Sequence, residues 1–180
     1  MKIQSNKGFT LIELLIVVAI IGIIAAIAVP GLLRARMAGN EASAIGSLRA
    51  INSSEINYMT NCANGAGYAS SLADLGTPPT GGGQAFISPD LGVAGTINKA
   101  GYNIVYTARG TAVAGLTNCN ATTGATPNYI VNADPTAFGT SGTRNFGTSE
   151  AQTIFQTQLA ASTPVTINIT TSVSNGSAIK

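Results

Sequence analysis

A single carboxylate stands out by its surroundings. In Lys7-Gly8-Phe9-Thr10-Leu11-Ile12-Glu13-Leu14-Leu15 and the apolar run that continues to Val29, Glu13 is the only charge between Lys7 and Arg34. About 20 apolar residues in helical form cross the roughly 30 Å hydrocarbon core of a bilayer, and Lys7 on one flank with Arg34 and Arg36 on the other suits the headgroups. A carboxylate one turn into such a helix is costly unless paired, so its presence points to function rather than packing.

The other reactive side chains offer little. There is no histidine, and Asp74, Asp90, Asp134 and Glu150 fall in separate stretches of the downstream chain. No nucleophile–base set or paired acid is visible, so neither an enzyme nor a cofactor site is expected. Asp90 and Asp134, read as loop residues near Asn and carbonyl groups, are the best calcium candidates, but turn capping is the favoured reading of both, and no metal site is assigned. Gly81-Gly82-Gly83 lacks the preceding strand and the following Lys-Ser/Thr of a phosphate loop.

One long helix, from Phe9 to about Tyr58, must position Glu13. About 50 helical residues at ~1.5 Å each span roughly 75 Å, more than a bilayer requires, so the excess must carry a domain. In its second half Ala38, Ala42, Ile45, Leu48, Ile56 and Met59 recur at spacings that predict an inner face, leaving Arg49, Asn52, Ser53 and Glu55 between them. Pro30 removes a backbone hydrogen bond and crowds the preceding turn, which predicts a bend there; Gly22, Gly39 and Gly46 weaken the helix further. Gly46 reads more simply as a site of close helix packing than as a hinge.

Beyond the helix the pattern changes twice. Asn61 to Ala100 is rich in Gly and Pro, which is loop chemistry, with short helical turns expected between Ser70 and Leu75. From Gly101 the period becomes two. Tyr102–Thr107, Tyr129–Ala133, a hairpin of Thr143–Thr148 with Thr153–Thr157 about Ser149-Glu150, and Val165–Thr170 read as strands, with Ser174 to Lys180 frayed. Helix followed by strands with short connections predicts an α+β head, four or five antiparallel strands packed on the inner face of the helix.

Composition fits an exported surface. Charged residues are 9% of the 180, against roughly 25% in ordinary soluble domains. The nine Lys and Arg exceed the seven Asp and Glu only through Lys2 and Lys7, so no bulk positive field for nucleic acid is present once those are removed. No small-residue cleavage site follows the apolar run, so that run is expected to stay in the mature protein.

The string from Lys7 through Pro30, with Gly-Phe-Thr-Leu-Ile-Glu fused to the apolar run, resembles the N-terminus of type IV prepilins and pseudopilins. The resemblance implies a leader, residues 1–8, cut by a prepilin peptidase between Gly8 and Phe9, followed by N-methylation of Phe9. It implies a subunit held in membrane lipid, single-pass in the inner membrane, that then polymerises with copies of itself into a helical surface filament. The partners implied are the peptidase and methyltransferase, an inner-membrane assembly platform and its ATPase; direct nucleic-acid binding is not expected. On this reading residues 9–30 are the membrane and filament-core half of the helix, 31–60 its amphipathic half, 61–101 a variable loop, and 102–180 the sheet head. The function implied is that of a type IV pilus subunit serving adhesion, twitching motility or DNA uptake; the alternative is a major pseudopilin of a type II secretion system. Glu13 and Phe9 are then the assembly residues, and Gly22 and Pro30 bracket a segment expected to melt in the filament.

The two cysteines, Cys62 at the helix end and Cys119 before the second strand, read as a disulfide in an exported domain, the other reading being two unrelated buried thiols. Asn52, Asn120 and Asn168 each begin an Asn-x-Ser/Thr acceptor pattern, which is common by chance.

Overall fold

The computed structural model describes residues 8–158 and 176–179. The chain divides into two units, Met1–Arg36 and Met37–Lys180. Helix α1 (Leu11–Asn61) starts in the first and ends in the second, and its helical assignment is unbroken through Gly22 and Pro30.

In the first unit the helix buries nothing within the chain. Its large apolar side chains between Leu11 and Leu33 are exposed, from 79% at Leu11 to 39% at Leu33. Gly22 faces open space.

The second unit is an α+β head. After α1 come α2 (Leu72–Gly76), β1 (Ile97–Lys99), β2 (Tyr102–Arg109), β3 (Asn128–Pro135), β4 (Asn145–Ser149), β5 (Phe155–Thr157) and β6 (Ser177–Ala178). The six strands form one antiparallel meander in sequence order. Their register puts Ile104 opposite Ala133, Val131 opposite Thr148, and Phe146 opposite Gln156. Alternation then sends Tyr102, Ile104, Tyr129, Val131, Ala133 and Phe146 into one core with Ala44, Leu48, Ile51 and Tyr58 of α1.

Three local readings need correction. First, β1 lies inside the stretch read as loop. It pairs with β2 across Ala100 and Gly101, both at positive φ (49° and 71°), a primed two-residue turn. Ala-Gly is a weaker signal for that turn than Asn-Gly, which is why the strand escapes notice. Second, the chain end read as frayed contains β6, paired with β5 through Phe155–Ala178 and Gln156–Ser177. The Val165–Thr170 strand lies outside the described residues. Third, the buried face of α1 is not the one that apolar spacing suggests. Ala38, Ala42 and Ile56 are exposed and Ile45 and Met59 only partly covered, whereas Glu41, Ala44, Ser47, Leu48, Ile51, Asn52, Ser54, Glu55 and Tyr58 are buried.

Partners explain that third result. A polar side chain can be buried when its hydrogen bonds are made. Asn52 donates through Nδ2 to Thr148 Oγ1 (2.8 Å) and to the carbonyl of Gln152 (3.2 Å), and its Oδ1 accepts from Tyr129 Oη (2.9 Å). Glu41 accepts from the N–H (2.8 Å) and hydroxyl of Thr143, and from Nε (2.9 Å) and Nη2 (2.6 Å) of Arg144, whose Nη1 reaches Gln156. The helix is therefore pinned by charge to Arg144, just before β4, and to the sheet centre by an amide.

Candidate functional site

The first six described residues, Gly8 to Glu13, hold the candidate chemistry. Gly8 and Phe9 are exposed and non-helical, Phe9 at 78%. Thr10 begins the helix. The Glu13 N–H donates to Thr10 Oγ1 (3.3 Å), while Glu13 Oε2 accepts from the Thr10 N–H (2.9 Å) and the Thr10 hydroxyl (2.6 Å). This is a capping box: Thr10 at the N-cap and Glu13 three residues on satisfy each other's orphan groups, and the carboxylate sits at the positive end of the helix dipole.

Glu13 thus has a local partner that the reading of a lone charge in lipid overlooks. The Thr-x-x-Glu spacing before an apolar run is the signal that reveals it. Both contacts of the Glu13 carboxylate fall on Oε2.

The N-terminal segment of the chain also has known counterparts. Residues 3–29 match the family model described as the prokaryotic N-terminal methylation motif. The type IV major pilin protein PilA of Myxococcus xanthus is 44% identical over 55 residues, covering 31% of this chain and 25% of that protein. The N-terminal segment of this chain is thus similar to that of type IV pilins. That segment is also 60% identical over 38 residues to the type IV wide pilus major component PilA4 of Thermus thermophilus, covering 21% of this chain and 29% of that one. A fimbrial protein of Pseudomonas aeruginosa is 78% identical over 27 residues, 15% of this chain and 18% of its own. The chain therefore spans about a quarter of the length of the curated relatives it matches. No solved structure matches it.

The remaining candidates sort themselves by placement. Gly22 and Pro30 lie inside α1. Cys62 and Cys119 are joined in a disulfide at the end of α1, with Cα atoms 4.6 Å apart and a sequence separation of 57. The Cys119 N–H also donates to the Cys62 carbonyl (3.1 Å), and the Thr80 N–H and hydroxyl both reach the Cys119 carbonyl, so one staple gathers three loop stretches at the helix terminus. Asp90 and Asp134 do not make a site. Asp90 is paired with Lys99 (2.6 Å), whose hydrogen bond helps hold its carboxyl down to about 2, and Asp134 lies in β3 rather than a loop, its carboxyl raised to about 6 by burial. No group of three or more His, Cys, Asp or Glu is gathered among the described residues. Asn52 and Asn120 are buried and hydrogen-bonded through Nδ2, so neither glycan pattern is presented; Asn168 lies outside the described residues.

Two acids of the head emerge only from the structure. Glu41 would be raised by burial, but the Thr143 N–H and the Arg144 guanidinium outweigh that and hold it below the ordinary value. Glu55 goes the other way: it is fully buried, its carboxyl is pushed up to about 8 chiefly by that burial, and its Oε1 has no hydrogen-bond partner. Sequence gave no hint of either, because helical spacing weighs apolar residues and treats acids as outward.

Proposed function

We propose that this chain is the structural subunit of a type IV pilus, polymerising through its apolar N-terminal helix. The observation that carries the reading is the helix surface from Leu11 to Leu33, where every large apolar side chain is left exposed. Such a face is not stable against water and needs a cover. One helix of the chain is long and apolar enough to cross a membrane by length and composition, so lipid provides the first cover. The equivalent helices of other copies provide the second, which is what removal from the membrane into a filament requires. Residues 1–8 are then the leader, the peptidase and methyltransferase its processing enzymes, and an inner-membrane platform with its ATPase the machinery of extraction. Adhesion, motility or DNA uptake would be exercised by the assembled surface fibre.

Processing is the first test. The Gly8–Phe9 bond lies in exposed non-helical backbone one residue before the N-cap, which suits entry of the bond into a peptidase. Intact mass measurement of sheared surface filaments is expected to give a chain that starts at Phe9 with one methyl group on its amine. Filaments whose subunits retain residues 1–8 would overturn the reading, as would the absence of this chain from any surface filament.

The helix between Gly22 and Pro30 supplies the second test. It is unbroken in the single chain, yet Gly22 contributes no packing atom and Pro30 has no N–H to donate. In the filament we expect this stretch to lose its regular hydrogen bonding, so that the subunit lengthens while the freed groups find partners in neighbouring helices. A filament density map showing continuous helix from Leu11 through Val29 would refute it.

A further inference from the structure

We propose that Glu55 is a proton-operated latch: as a neutral acid it holds the Tyr68–Leu75 segment, including α2, against α1, and its ionisation releases that segment. The inference starts from one peptide group. The Ala69 N–H donates to Glu55 Oε2 (2.9 Å), while the Ala69 carbonyl accepts from Tyr106 Oη (2.7 Å) and from Thr126 Oγ1 (3.3 Å). The entrance to α2 is therefore clamped between the helix on one side and β2 on the other, with the Tyr68–Thr126 backbone pair beside it.

The orphaned oxygen shows which protonation state this clamp suits. Glu55 Oε1 is buried and unpartnered as a carboxylate, and its side chain interacts with Tyr106. The Tyr106 proton is already committed to the Ala69 carbonyl, so Tyr106 has lone pairs to offer and no hydrogen for a carboxylate. Protonated, the carboxyl group has an O–H to give, and Tyr106 Oη, with which the side chain interacts, has lone pairs to receive it while the Ala69 N–H still reaches Oε2. Ionised, the group would be a buried charge with one unsatisfied oxygen.

Burial and the Asp74 charge favour the neutral form and outweigh the Ala69 N–H and Tyr106, which act the other way. Tyr58 comes from the same helix, Tyr68 from the clamped segment, Asp74 from α2, Tyr106 from β2 and Tyr129 from β3. Tyr129 lies between Tyr68 (ring centroids 4.9 Å apart) and Tyr106 (5.7 Å), an aromatic wall that keeps water from the carboxyl. Asp74, the nearby charge acting on Glu55, is of the same sign. Because the folded-state value of about 8 lies above the ordinary 4.5, the latch contributes fully below about pH 4.5, weakens as pH rises, and is lost above about pH 8.

The test uses the full chain in detergent micelles, with amide hydrogen exchange expressed as protection so that the intrinsic pH dependence is removed. Between pH 6 and pH 9 we expect the amides of residues 69–75 to lose protection by roughly a hundredfold, with those of Val131 and Ala133 in β3 changing far less. In Glu55→Gln, whose amide cannot ionise, the protection of residues 69–75 should be flat across that range. Equal loss in the wild type and in Glu55→Gln, or uniform loss across the whole head, would overturn the proposal. Should Glu55→Gln fail to fold, a carboxyl-carbon NMR titration of Glu55 in the wild type decides: a midpoint below about pH 6 rejects the latch and one near pH 8 supports it.

Discussion

Glu13→Ala is expected to give a subunit that is inserted and cleaved yet forms few or no filaments, a loss of roughly tenfold or more in sheared surface fibre. On the proposed processing, cleavage would place a new amine on Phe9, about one helical turn before Glu13. Each of these charges is poorly tolerated alone in an apolar setting. The capping box occupies Glu13 Oε2 with Thr10, which fixes the carboxylate at the helix start and leaves Oε1 for a partner. As a neighbouring subunit leaves the bilayer, its Phe9 amine can meet that oxygen, neutralising both groups. Only one axial stagger brings them together, so the pair sets register as well as attraction. Glu13→Gln keeps a hydrogen-bonding oxygen for Thr10 but no charge, and should be intermediate at best. Thr10→Ala removes the box without removing the charge and should reduce assembly less than Glu13→Ala does. A cleaved Glu13→Ala chain that polymerises alone at the wild-type level would eliminate the pairing role and leave Glu13 as a recognition element for the processing enzyme.

Removing the disulfide is expected to have the largest effect on the head. Cys62 and Cys119 close a loop of 57 residues, and the chain-entropy model assigns such a closure about 4 kcal/mol. A stability change of that size in a domain of this length corresponds to a fall in midpoint of roughly 10–15 °C. The loss should be felt first at the helix end, where Thr80 and Cys119 are held by the same staple, and later at β3. Thermal unfolding of the Cys62→Ser/Cys119→Ser double variant, or of the reduced wild type, measures it. A midpoint within about 2 °C of the oxidised protein would show that backbone contacts alone secure this corner. Charge pairs do not offer an alternative: among the described residues only Lys99–Asp90 and Arg144–Glu41 are within salt-bridge distance, and the first is exposed.

Amino-acid order alone was enough for the long helix, the α+β class, the main strands and the membrane-length apolar run. These depend on local periodicity and on hydrophobicity, which are properties of neighbours in sequence. The prepilin-like start was legible for the same reason, because its signal is one contiguous string ending in a charge that lipid disfavours. The capping box was legible too, in Thr10-x-x-Glu13, though it is easily passed over beside the charge itself.

What tertiary structure decided was the set of polar groups that are buried. Asn52, Glu41 and Glu55 sit on the inner face of α1 because Tyr129 and Thr148, Arg144, and Ala69 stand opposite them, about 100 residues away in the case of Arg144 and far nearer for Ala69. No pattern within the helix records those partners. A buried polar side chain is stabilised or penalised by what the folded chain brings within 3 Å of it, and that distance is fixed by sheet register and loop closure rather than by helical spacing. The same holds for β1 and β6, short strands whose pairing with β2 and β5 supplies the hydrogen bonds that their own sequences do not announce.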